Sequence, residues 1–139
     1  MTSLFNDTVH RLQVAVPGPF AGPLSYLHHT TVPVGVRVVV PLGRREVVGL
    51  VVDEPADETL NPDKLKGINR VLDSEPQLDG QLLELTTWMS RYYLHEYSSS
   101  FLMALPGLMR KGEIAALPSE DWITLTLQGE AIDPEQIKR

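Results

Sequence analysis

Residues 36–40 (Val-Arg-Val-Val-Val) and 47–52 (Val-Val-Gly-Leu-Val-Val) are two β-branched runs separated only by Pro41-Leu42-Gly43-Arg44-Arg45-Glu46. Side chains branched at Cβ are stiff at χ1 and suit a pleated, half-buried surface, so the pair reads as two strands joined by a tight connection. Pro and Gly in that connection interrupt the ladder and let another backbone come close, while Arg44, Arg45 and Glu46 charge it. The Pro-Leu-Gly corner therefore reads as a binding edge. Gly22-Pro23-Leu24-Ser25-Tyr26-Leu27 precedes it and Gly49-Leu50-Val51-Val52 follows. Glycine-marked segments crowded in this way are those of a small β-barrel with short connections.

The rest of the chain fits that frame. Residues 10–16 alternate Leu12, Val14 and Val16 against Arg11, Gln13 and Ala15, the period of a half-buried strand, and Pro17-Gly18-Pro19 ends it. Residues 24–27 form a short second strand. Pro33-Val34-Gly35 turns into the third, and residues 53–63 are an acidic loop with Pro55 and Pro62. Residues 67–72 supply a fifth strand. So short a sheet, with so many turns, is expected to close or nearly close on itself.

A helix then begins at Asp79, a good N-cap, with Leu78 and Leu83 placed as a hydrophobic staple. Leu82, Leu85, Met89 and Tyr92 share one face, with Trp88 beside them, and that face is expected to pack. Ser98-Ser99-Ser100 reads as the cap of a second helix ended by Pro106-Gly107. The fold class expected is α+β: a small antiparallel, partly open β-barrel over 10–73 and a short helical part over 79–106, together a domain at 1–108. Residues 109–121 read as a linker. Trp122 to Leu127 is strand-like, Asp133-Pro134-Glu135 would start another helix, and 122–139 are expected to begin a further domain of a longer protein.

Composition narrows the function. With no Cys there are no disulfides and no thiolate metal sites, and His10, His28, His29 and His95 are too scattered for a zinc cage, so no metal and no cofactor are expected. The start of the chain lacks the basic and apolar regions of a secretory signal and no apolar run is long enough to span a bilayer, which makes a cytoplasmic location the expectation. The net charge of −6 argues against a protein that coats duplex DNA through its cations. Its distribution is uneven, however. Residues 1–50 carry four Arg against two acidic residues, whereas 51–139 carry 8 basic against 16 acidic. A mildly basic β-rich half permits a small site that reads shape and hydrogen bonds.

Leu12-Gln13-Val14-Ala15-Val16-Pro17, Leu24-Ser25-Tyr26-Leu27, residues 35–43, Val48-Gly49-Leu50-Val51-Val52 and residues 66–73, in this order and spacing, resemble the N-terminus of the PriA (primosomal protein N′) family of replication-restart helicases. The likeness continues through Trp88-Met89-Ser90-Arg91-Tyr92-Tyr93 and residues 104–112. It implies a DNA-binding module that captures the 3′ end of the nascent leading strand at an arrested fork, with a winged-helix domain after it. The partners implied are forked or single-stranded DNA with a free 3′ end, other primosome proteins and single-strand-binding protein, with nucleoid association when bound.

The pocket implied by the resemblance falls on Leu24, Ser25, Tyr26, Gly43 and Lys66, with Arg44 and Arg45 as a phosphate rim. Ser25 stands where the family carries an Asp, and Leu24 where it carries a Phe. Ser25 offers a neutral hydroxyl in place of a carboxylate, which would lower the preference for a 3′-hydroxyl over a phosphate. Tyr26 would stack on the terminal base, Gly43 would admit the nucleotide and Lys66 would face a phosphate. Taken singly, each has a plainer reading: Tyr26 as a core residue, Gly43 as a turn glycine, and Lys66, Arg44 and Arg45 as solvated charges. No Gly-x-x-x-x-Gly-Lys-Ser/Thr phosphate loop occurs, so catalysis is not expected of this chain. The alternative function is a protein–protein interaction module of a larger assembly, since small barrels also bind peptides and the acidic half suits a basic partner.

Overall fold

The alternation in residues 10–16 divides the first strand between two cores. In the computed structural model, which describes residues 9–53, 59–114 and 116, Val14 and Val16 face the barrel interior with Tyr26, Val36, Val38 and Val51. Ala15 faces the opposite way, beside Leu50 and Val52, and packs against a helical layer. The strands are β1 (His10–Ala15), β2 (Leu24–His28), β3 (Arg37–Leu42), β4 (Arg45–Val52) and β5 (Arg70–Val71). They form one antiparallel sheet in the order β2-β1-β4-β3-β5.

The sheet curls until its edges meet. Residues just before β5 reach β2, where Leu27 N–H donates to the Lys66 carbonyl at 3.0 Å and Ile68 N–H donates to the Leu27 carbonyl at 2.9 Å. Residues 69–72 then lie along β3, with Asn69 N–H on the Val39 carbonyl and Leu72 N–H on the Arg37 carbonyl, both at 2.9 Å. One segment thus bridges both edges, and the result is the small, partly open barrel of an α+β fold that the sequence predicts. The fifth strand is shorter than the expected 67–72 because its first half belongs to the bridge.

The helical layer consists of α1 (Gly80–Tyr92) and α2 (Tyr97–Met103). Asp79 caps α1 as expected, its carboxylate accepting from Leu82 N–H at 2.9 Å. Phe101, Tyr97, Leu78 and Leu105 cover the outer face of the sheet. The packing face expected for α1 is corrected. Leu82, Leu85, Trp88 and Tyr92 are 42%, 49%, 52% and 65% exposed and of that face Met89 alone is half-buried; the buried positions are Thr86 and Ser90, with Leu83 partly buried. Small hydroxyl residues can take that face because they return their protons to the helix: Thr86 to the Leu82 carbonyl and Ser90 to the Thr87 carbonyl, each at 2.8 Å. Ser98-Ser99-Ser100 is likewise inside α2 and does not cap it. Glu96 is the N-cap residue, and its carboxylate accepts from Ser99 Oγ at 3.0 Å.

Arg37, counted above among the cations of the basic half, is 1% exposed. Its guanidinium makes a two-pronged ion pair with Asp73, Nη2–Oδ1 2.6 Å and Nε–Oδ2 2.8 Å, and Nη1 donates to the carbonyls of Met109 and Glu113, both at 2.7 Å. A charge this buried persists only when its donors are used up, and here the planar fork is matched on both sides. Its positive charge is therefore internal. The same bonds hold the 3₁₀ turn Met109–Lys111 beside β4, so the first residues of the expected linker are tied to the barrel. Residues 117–139, including the expected start of a further domain, lie outside the described residues. Among the described residues no helix is long and apolar enough to cross a membrane.

Candidate functional site

Gly43 and Arg44 form the two-residue loop of the β3–β4 hairpin, closed by the Leu42–Arg45 pair. Gly43 has φ +64°, and no atom lies within 4 Å of where a Cβ would stand. Glycine leading such a loop, with only the first residue at positive φ, is the type II′ pattern that matches strand twist. Its consequence is a bare stretch of backbone at the tip, flanked by the exposed side chains of Arg44 and Arg45.

Lys66 stands next to this tip. Its ammonium is 3.5 Å from the Gly43 carbonyl, at the outer limit of a hydrogen bond, while its own carbonyl holds Leu27 of β2. So loose a contact leaves the exposed ammonium able to turn to an anion. Leu27 directs both its N–H and its C=O to the 66–68 bridge. Along an antiparallel strand these groups alternate sides, so Ser25, two residues earlier, presents its N–H and C=O on that same side, before the bridge begins. The backbone edge of β2 at Ser25 therefore faces the side on which the bridge runs, and Lys66 links that bridge to the glycine tip.

Tyr26 lies inside the barrel. Its ring is 4% exposed within the barrel core, and its Oη–H donates to the Pro41 carbonyl at 3.1 Å, spanning β2 and β3. Burial raises its phenol pKa above the usual 10.0. Stacking of Tyr26 on a base is therefore corrected: neither ring face is open, and the residue acts as a support. Leu24 is partly buried against the same interior cluster as Leu42. Ser25 faces the other side of β2, where its Oγ accepts from Gln13 Nε2 at 2.9 Å. A hydroxyl that accepts there keeps its proton to donate outward.

The five residues expected from the sequence thus converge on one end of the barrel, although not as five side chains around a closed cavity. Gly43 and Lys66 touch, Tyr26 reaches the strand that leads to Gly43, and Ser25 and Tyr26 point to opposite faces of β2. No sequence pattern marks Gln13 as the residue that sets the Ser25 hydroxyl, since its cross-strand pairing with Ser25 depends on register. A cleft of about 910 Å³ lies at the other end of the strands, where Val34, Val52 and Leu78 meet Leu83 and Trp88 of α1. None of the five lines it.

Residues 13–106 match the family described as the 3′ DNA-binding domain (3′BD) of PriA. The chain is similar to the replication restart protein PriA of Haemophilus influenzae, 29% identical over 130 residues that make up 93% of this chain and 18% of that protein. It is also similar to the proteins of that name from Treponema pallidum, 31% identical over 62% of the chain and 14% of the relative, and from Buchnera aphidicola, 27% identical over 56% and 11%. The chain spans less than a fifth of the length of each of these relatives.

Proposed function

Because the chain belongs to the PriA 3′ DNA-binding domain family, we propose that it captures the 3′ end of the nascent leading strand at arrested replication forks and so targets a restart helicase and primosome assembly. The observation that carries this reading is Lys66, which holds β2 through its carbonyl and reaches the bare backbone of Gly43 with its ammonium; together with the β2 edge at Ser25 we read this corner as a notch for a strand end. In this reading residues 66–68 close the notch on its far side, so a strand that ends can seat there while one that continues meets the bridge. Selection of a terminus then needs few polar groups. Lys66 faces the last phosphate, Arg44 and Arg45 form the rim for the next ones, and Ser25 donates to the terminal sugar.

The motor belongs to other parts of a longer protein, as the lengths of the relatives suggest, and primosome proteins and single-strand-binding protein are partners of that whole. Against the interaction-module alternative stands the DNA-binding family match over residues 13–106.

Fluorescence anisotropy with forked DNA tests the proposal. A fork whose leading strand ends at the junction in a free 3′ terminus is expected to bind at least about tenfold more tightly than the same fork with that end sealed by a hairpin loop. Tenfold is about 1.4 kcal/mol, which one or two hydrogen bonds supply. Equal affinity for the two forks would overturn it.

A further inference from the structure

Tyr26 is buried, so a terminal base seated in the notch needs another apolar face. We infer that Phe20 supplies it, an inference that rests on the end-capture reading above. The antiparallel register places the connection between β1 and β2 at the same end of the barrel as the β3–β4 hairpin, because the C-terminal ends of β1 and β3 and the N-terminal ends of β2 and β4 all lie there. Phe20 sits in that connection and is half-buried, packed on the interior cluster together with Leu24 and Leu42, the neighbours of Ser25 and Gly43.

The ring is also held in place. Phe20 N–H donates to the Gly18 carbonyl at 2.8 Å, and a Cβ at Gly18 would stand 2.6 Å from the ring, so the ring lies against backbone that only glycine leaves open. Gly18 has φ +140°, and Pro17, Pro19 and Pro23 stiffen the rest of the loop. A preformed aromatic surface loses little entropy on binding. Elimination points the same way. Among the described Phe, Tyr and Trp residues, Tyr97 and Phe101 are buried under the outer sheet face, and Trp88, Tyr92 and Tyr93 are on or at the end of α1, leaving Phe20 and the buried Tyr26 at this end of the barrel. Every base has a π face, so a site of this kind tolerates any terminal base.

The test compares two forks with free leading-strand 3′ ends, one ending in a normal nucleotide and one in a stable abasic residue, by anisotropy with the whole chain. Wild type is expected to bind the abasic end about 5- to 150-fold more weakly, the range of one base–aromatic stack. Phe20→Ala should bind the normal end more weakly by a similar factor and no longer distinguish the two. Phe20→Leu, which keeps the apolar packing, should also lose the distinction and controls for folding. If either variant still discriminates against the abasic end as wild type does, or weakens both ends alike with the difference retained, Phe20 is only structural and the inference fails. Wild type that prefers neither free end to the sealed fork would remove the end-capture reading itself, and this inference with it.

Discussion

Tyr26 is a support whose two ends are both engaged, the ring in the barrel core and the hydroxyl on the Pro41 carbonyl, two residues before the glycine tip. Truncation to Ala should cost about 3–5 kcal/mol in denaturant unfolding, as buried aromatics do, whereas Tyr26→Phe should cost about 1 kcal/mol, the worth of one hydrogen bond. Its titration gives a further signature. The folded-state pKa is raised above 10.0 by burial, so the native state holds the proton more tightly than the unfolded chain. Stability from this group is therefore complete below pH 10 and is lost as pH rises beyond it through the folded pKa. Unfolding measured from pH 8 to 11 should show a loss in wild type that is smaller in Tyr26→Phe; parallel profiles would contradict the assignment. At this scale the sequence offered two roles for Tyr26, and only the crossing of β2 against β3 decides between them. Asp79, by contrast, could be read directly, because a cap depends on residues three positions away.

Local pattern located the elements well and their surroundings less so. β3 and β4 follow from the valine runs, and α1 follows from its cap and its apolar spacing. Which face of α1 is covered depends on α2 and the sheet, far away in sequence, and small hydroxyl residues took the face that hydrophobic spacing would assign to Leu85 and Trp88. This gives a contrast in stability. Phe101→Ala, at 1% exposure, should cost about 3–5 kcal/mol, while Trp88→Ala, at 52%, should cost about 1 kcal/mol or less in the same urea titration. A large loss at Trp88 would show that α1 is seated on its apolar stripe after all.

For the whole molecule, what matters is where the two sheet edges meet. The turns of the chain imply closure, and residues 67–72 are legible as a strand, but that residues 66–68 pair with β2 while 69–72 pair with β3 is a long-range fact. The proposed notch lies beside this bridge, at Ser25 and Gly43. Arg37 illustrates the same limit: one of the cations that make the β-rich half basic, it is the internal clasp joining β3, Asp73 and residues 109–113. The most direct measurement is two-dimensional NMR of the ¹⁵N-labelled chain, titrated with a short linear oligonucleotide and then with a closed circle of the same composition. The backbone amides of Ser25, Gly43 and Lys66 should shift with the linear strand and stay in place with the circle. Equal shifts with both, or shifts confined to the α1 face around Trp88 and Tyr92, would contradict a notch that holds the end of a DNA strand.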